Sequence, residues 1–200
     1  MTLECYNIDS KEYWPELSQV IADILKQAMA KGVSSVEATA NIDLGLSCTV
    51  RLGTVETLEF SRDKSLMVTV YYGKHKGTAT CSDFTTAAIK QTITIASDIA
   101  KHTEADQYNG LADPQFLAKN ITDLQLYHVT KLLPERVIEL VKNSEAVALG
   151  MDKRINNSAG ATFTANGCYQ IYGNSNGFLA GYPSSSYSLI CTVIGQDQQS

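Results

Sequence analysis

Three histidines, five cysteines and scattered carboxylates are the side chains of this 200-residue chain able to ligate a metal or attack a substrate. His75, His102 and His128 form no H-E-x-x-H or H-x-H pair, so a helical two-histidine zinc site cannot be assembled from them. His75 lies between Lys74 and Lys76, where neighbouring positive charge disfavours a cation. His102 falls at the expected end of a helix, where it complements the helix dipole. His128 follows Leu126-Tyr127 with no evident partner. Cys5, Cys48, Cys81, Cys168 and Cys191 are odd in number and contain no C-x-x-C pair. They read as reduced thiols rather than a disulfide framework or a zinc knuckle. Glu56 and Glu59 are three apart, which on a regular strand puts them on opposite faces and unsuits them to paired acid and base work. Ser184, Ser185 and Ser186 carry no G-x-S-x-G elbow, and neither a dinucleotide nor a P-loop glycine pattern exists. The chain is therefore expected to hold no catalytic centre, metal or cofactor of its own and to act by contact. Tyr71, Tyr72, Tyr169, Tyr172, Tyr182 and Tyr187 all fall in strand-like runs, so a tyrosine-rich sheet face is a candidate recognition surface.

Composition limits the partners. The chain is 44% hydrophobic and 18% charged, with a formal net charge of −5, which suits a globular protein and argues against a large nucleic-acid surface. No apolar run approaches membrane-spanning length, and the N-terminus lacks a basic and an apolar leader region. A cytoplasmic location is the expectation.

The elements follow from periodicity. Trp14, Leu17, Ile21, Ile24, Leu25 and Ala28 make a helical stripe, with Pro15 expected in the first turn and Gly32 as the stop. Residues 34–83 change to alternation, in short strands separated by expected turns at Gly53, at Arg62-Asp63-Lys64 and from Gly73 to Gly77. A second helix is capped by Thr85 or Asp83 and buries Ile89, Ile93, Ala96 and Ile99. Residues 103–133 read as a connection with one short helix. Pro134 opens a third helix, with Val137, Ile138, Val141, Ala148 and Leu149 on its apolar side and Gly150 at its end. Strand-like runs resume at Ile155, with Asn176-Gly177 as a hairpin turn, and end in a polar tail at Gly195–Ser200. The fold expected is α+β: antiparallel β-meanders packed with helices, the helix-plus-strands order occurring twice. The organisation expected is a subdomain over 1–103, a connection over 104–133 and a second subdomain over 134–200.

The run "VRLGTVETLEFSRDKSLMVTVYYGKHKGTATCSD", Val50 to Asp83, resembles the N-terminal region of the PmbA-type (TldE-type) subunits of the TldD/PmbA metallopeptidase family. The resemblance continues through "AIKQTITIASDIAKHTEADQYNGLADP", "DLQLYH", "RINNSAGATFT", "YGNSNGF" and "GYPSSSYSLICTVIGQD", in order along nearly the whole chain. The segments "VETLEFSRDK" and "YYGKHKG" favour the PmbA type over the TldD type. The resemblance implies a non-catalytic subunit that pairs with a zinc-bearing TldD-type catalytic subunit, whose H-E-x-x-x-H helix lies in a later region. The pair would process or degrade unfolded peptides, including antitoxin proteins and a microcin precursor; an older family description is modulator of DNA gyrase. It further implies that the family's C-terminal domain follows residue 200. The positions matching family motifs are Glu56, Phe60, Asp63, Lys64, Gly73, Lys76, Gly77, Ser82, Asp83, Asn174, Asn176, Gly177 and Phe178. None is catalytic in the family; turn geometry, helix capping and contacts with a partner or peptide are their expected roles. An extended peptide adding to an exposed sheet edge is the expected binding mode. Two other readings stay open: the front half of a catalytic TldD-type peptidase, and a stand-alone α+β module that binds peptide or protein.

Overall fold

A computed structural model describes residues 10–128 and 132–196. Cys5, the N-terminal leader region and residues 197–200 of the tail lie outside them. The elements are α1 (Ser10–Met29), β1 (Ser35–Arg51), β2 (Thr54–Tyr72), β3 (His75–Cys81), α2 (Thr86–His102), α3 (Pro134–Gly150), β4 (Ile155–Asn174) and β5 (Leu179–Gly195). The connection carries one 3-10 turn, Pro114–Phe116. The fold is α+β. All five strands join one antiparallel sheet in the order β3-β2-β1-β4-β5, so the two helix-plus-strands groups meet where β1 pairs with β4, from Glu37↔Asn174 to Val50↔Ala161.

The strands are longer and fewer than the sequence suggests. Arg62-Asp63-Lys64 is no turn: it lies inside β2, paired with Leu44, Asp43 and Ile42 of β1. Ser184–Ser186 likewise lies within β5, opposite Cys168, Gly167 and Asn166. These runs look like turns because they are polar. They are polar because their strands are open to water, and the ladder, which is sequence-blind, carries on through them. Turns fall at Gly53 (φ +75°), Gly73 (φ +60°) and Gly177 (φ +88°) as expected, but the β4–β5 turn has four residues, 175–178, and Asn176 does not share the left-handed backbone of Gly177.

Alternation divides the sheet into two faces. Every even residue of β1 from Val36 to Val50 is buried, and the odd residues up to Thr49 are half-buried. The buried face carries all three helices. A large core joins Leu17, Ile21 and Ile24 of α1 and Ile89 and Ile93 of α2 to the first half of β1 and to β2 and β4. A smaller core sets Val137 and Val141 of α3 against Leu46, Cys48, Val50 and Phe163. Fully burying each such aliphatic side chain contributes roughly 1.5–3 kcal/mol.

Three helix details depart from expectation. Pro15 is the sixth residue of α1, not in its first turn, so the helix extends N-terminally past Trp14 and forgoes one backbone bond there. Tyr13, not Trp14, joins the core. In α2, Ala100 replaces Ile99 on the buried side, and Ile99 is 43% exposed. The reason lies in Gly77. A Cβ there would sit 2.0 Å from the Ala96 carbonyl and 2.4 Å from the Ala100 nitrogen, so α2 lies directly on β3. Only small residues fit at that crossing.

Candidate interaction surfaces of the sheet

The open face is a lattice of short polar side chains. Across its middle run Ser65, Asn41, Gln170 and Tyr182, then Asp63, Asp43, Cys168 and Ser184. Near one end Glu37 accepts from two phenols: Tyr71 Oη to Oε1 at 2.8 Å and Tyr172 Oη to Oε2 at 2.7 Å. Asn174 Nδ2 in turn donates to Tyr172 Oη at 3.2 Å. Burial first, then the Glu37 carboxylate, raises the Tyr71 hydroxyl above its ordinary value, and it stays a donor. Two of the six tyrosines of the expected surface, Tyr71 and Tyr172, are thus tied into the sheet's own network.

The thiols of Cys48, Cys168 and Cys191 and the His75 ring sit in structural settings. Burial, then the neighbouring Asp43, pushes Cys168 up to about 12, and burial raises Cys48 and Cys191, so none is a ready thiolate at neutral pH. His75 Nδ1 meets the Thr103 carbonyl at 2.6 Å. The His128 backbone bonds the Ser185 hydroxyl, and its carbonyl accepts from Tyr187 Oη at 2.6 Å. A zinc ion requires three or four converging Cys, His or carboxylate ligands. Among the described residues no three such side chains come together, so these residues do not fit the zinc that the resemblance implies for the catalytic partner.

The thirteen motif positions fall into three places. Glu56, Phe60, Asp63 and Lys64 lie on the first part of β2. There a register shift leaves Glu56 without a cross-strand partner, Asp63 faces Asp43, and Phe60 is 43% exposed. Lys64 reaches Glu16 at 3.7 Å and covers the Phe84 ring. Because β3 pairs with β2 only from Leu66 onward, the stretch 54–65 has β1 as its single ladder neighbour among the described residues. Most of its residues are exposed, with Val55 and Lys64 half-buried.

The second place is the β2–β3 hairpin and the start of α2. Gly73 makes the turn, and its N–H donates to Ser34 Oγ at 2.9 Å. Lys76 is exposed opposite Tyr71, and Gly77 is the α2 crossing described above. Ser82 is an exposed bend before Asp83. Asp83 and Thr85 share the capping: Thr85 Oγ1 accepts from Ala88 N–H, while Asp83 accepts from the Thr85 N–H and hydroxyl. Those two bonds hold the Asp83 carboxyl below its ordinary value.

The third place is the β4–β5 turn. Asn174 is buried, and its Oδ1 accepts from the N–H groups of Asn176 and Phe178. Phe178 packs on Tyr172 at 5.9 Å between ring centroids. The structure brings the second and third places together at one end of the sheet. Ser175 N–H donates to Val36 O, Asn176 Nδ2 to Ala112 O, and Lys74 Nζ to Asn109 O, so the connection laces the two hairpin turns. The first place lies apart, along β2.

Sequence reasoning missed Glu145. It is 1% exposed, and its two oxygens accept from Leu52 N–H at 2.9 Å and Gly53 N–H at 2.8 Å, tying α3 to the β1–β2 turn. Burial alone would raise its carboxyl. The bonds from Ser158, Gly53 and Leu52, with the Arg51 charge, outweigh that and hold it below the ordinary value. The signal was present: Glu145 continues the four-residue spacing of Val137 and Val141.

A sheet with one helix-covered face and one polar face defines the α+β class of this chain. Residues 37–100 match the family description "PmbA/TldA metallopeptidase domain 1", and residues 127–200 match "PmbA/TldA metallopeptidase central domain". The chain belongs to the PmbA/TldD metallopeptidase family and corresponds to the N-terminal portion of PmbA. It is 41% identical over 180 residues to the Metalloprotease PmbA homolog of Haemophilus influenzae, covering 90% of this chain and 40% of that protein. It is 36% identical over 181 residues to Metalloprotease PmbA of Escherichia coli O157:H7, again covering 90% and 40%. The chain thus spans about 40% of the length of these relatives. In fold it is similar to a structure from Bacteroides thetaiotaomicron described as a modulator of DNA gyrase, with TM-score 0.81, 22% identity, and coverage of 92% of this chain and 42% of that one. It is also similar to TldE from Thermococcus kodakarensis, with TM-score 0.70, 15% identity, and coverage of 90% and 40%.

Proposed function

We propose that this chain is the front portion of a PmbA/TldE-type subunit that has no catalytic centre of its own. It pairs in the cytoplasm with a zinc-bearing TldD-type subunit. The complex processes or degrades unfolded peptides, antitoxins and microcin precursors among them. Residues 1–103 and 134–200 act as its two subdomains across the connection 104–133.

The observation that supports the reading is the stretch 54–65 of β2, mostly exposed and paired with β1 alone among the described strands, which holds four of the motif positions. An extended chain adding there bonds through its backbone, which suits a machine that takes many sequences. Co-expression with a TldD-type subunit, size-exclusion chromatography and a peptide-cleavage assay with and without chelator test it. Co-elution and chelator-sensitive cleavage only in the partner's presence are expected. Stoichiometric zinc on the chain alone, or cleavage by it alone, overturns the reading.

A further inference from the structure

A groove of about 620 Å³ opens beside the first turns of α1. Trp14 and Pro15 of α1, Tyr182 and Pro183 of β5, Asp123 of the connection and Tyr169 of β4 line it. Trp14 is 38% exposed and Tyr182 42%, so two ring systems face solvent. Tyr169 is different. It is 2% exposed, with its ring packed on Tyr13 at 6.3 Å between centroids. Its hydroxyl lies over Gly181, 3.2 Å from where a Cβ on that residue would stand, and the missing side chain makes the room. Among the described residues this hydroxyl has no hydrogen-bond partner, and burial is the sole influence on its proton. The hydroxyl is the polar tip of an otherwise buried ring, and the groove is the side from which an acceptor can reach it.

The geometry points to a docking groove for an extended, proline-bearing peptide of neutral or positive charge. Flat rings set beside pyrrolidines suit a polyproline II segment, which enters already ordered. Such a segment leaves its backbone carbonyls without internal partners, so one of them accepts from Tyr169 Oη. Asp123 is the single charged residue of the lining, which favours basic flanks on the peptide and repels acidic ones.

The proposal rests on the peptide-handling function above and gives it a second contact point. Trp14 is the chain's only tryptophan, so its fluorescence reports on the groove directly. Titrating the chain with a ten-residue proline-rich peptide flanked by lysines is expected to give a saturable emission shift. Tyr169→Phe removes a donor that bonds nothing within the protein, so the melting temperature should stay while affinity falls about five- to tenfold, the worth of one hydrogen bond. The same peptide flanked by glutamates should bind more weakly than the lysine form. No saturable shift, equal affinity for Tyr169→Phe, or no discrimination between the flanks overturns the proposal. If the groove fails while the complex still cleaves unfolded peptides with chelator sensitivity, the groove alone falls. If cleavage fails too, both do.

Discussion

Where β1 runs from Val36 to Leu44, two helices and parts of three other strands close over it; from Leu46 to Val50, α3 is the one helix above it among the described residues. The large end holds twenty buried apolar residues among those described, the small end eight. The small end also takes little cover from β2, where Val55 packs against it but Leu58 is 36% and Phe60 43% exposed. It has instead a buried carboxylate that gathers the β1–β2 turn. One end stands on apolar area and the other on a polar clasp, and the two should fail differently.

Deleting apolar volume should cost most. Ile93→Ala in the large core is expected to lose about 2–5 kcal/mol in denaturant unfolding, with loss of the whole sheet's cooperativity. A loss confined to α2 would break the comparison. At the small end, Glu145→Gln should cost about 1–3 kcal/mol. Hydrogen exchange should speed at Leu52 and Gly53 before it does at the large core.

Acid should single out the same clasp. The Glu145 carboxyl is depressed in the folded protein, so its contribution is complete above the unfolded value of about 4.3 and disappears as pH falls through the lower folded value. Stability measured from pH 7 downward should therefore fall more steeply below about 4.3 in the parent than in Glu145→Gln. Parallel curves would remove the clasp from the account. The smallest effect belongs to the open face: Tyr172→Phe gives up one of the two bonds to Glu37, for about 0.5–1.5 kcal/mol by thermal melting.

The large end was largely legible in the sequence because periodicity reports apolar burial. The α1 and α2 stripes, the Thr85 and Asp83 caps and the Asn176-Gly177 turn all follow from local chemistry. The small end and the edges were not. A glutamate on a helix reads as a solvated position, and only the arrival of the β1–β2 turn makes Glu145 a buried anchor. Gly77 reads as part of a turn, whereas it marks the place where another element's backbone presses in. Arg62-Asp63-Lys64 reads as punctuation because a strand open on both faces loses the alternation that announces a strand. Three of the four motif positions of β2, Glu56, Asp63 and Lys64, share that property: their polarity reflects what they leave uncovered.

The central strand also sets an order of assembly. Val36 N–H bonds the hydroxyl of Ser175, 139 residues along the chain, whereas β2 follows β1 after a two-residue turn. On a ribosome the β1–β2–β3 meander is complete long before β4 exists, so one margin of β1 waits unpaired through the synthesis of the connection and α3. Folding of this protein should therefore be paced by a late, long-range zippering step, and the nascent chain is at its most vulnerable to mispairing in that interval.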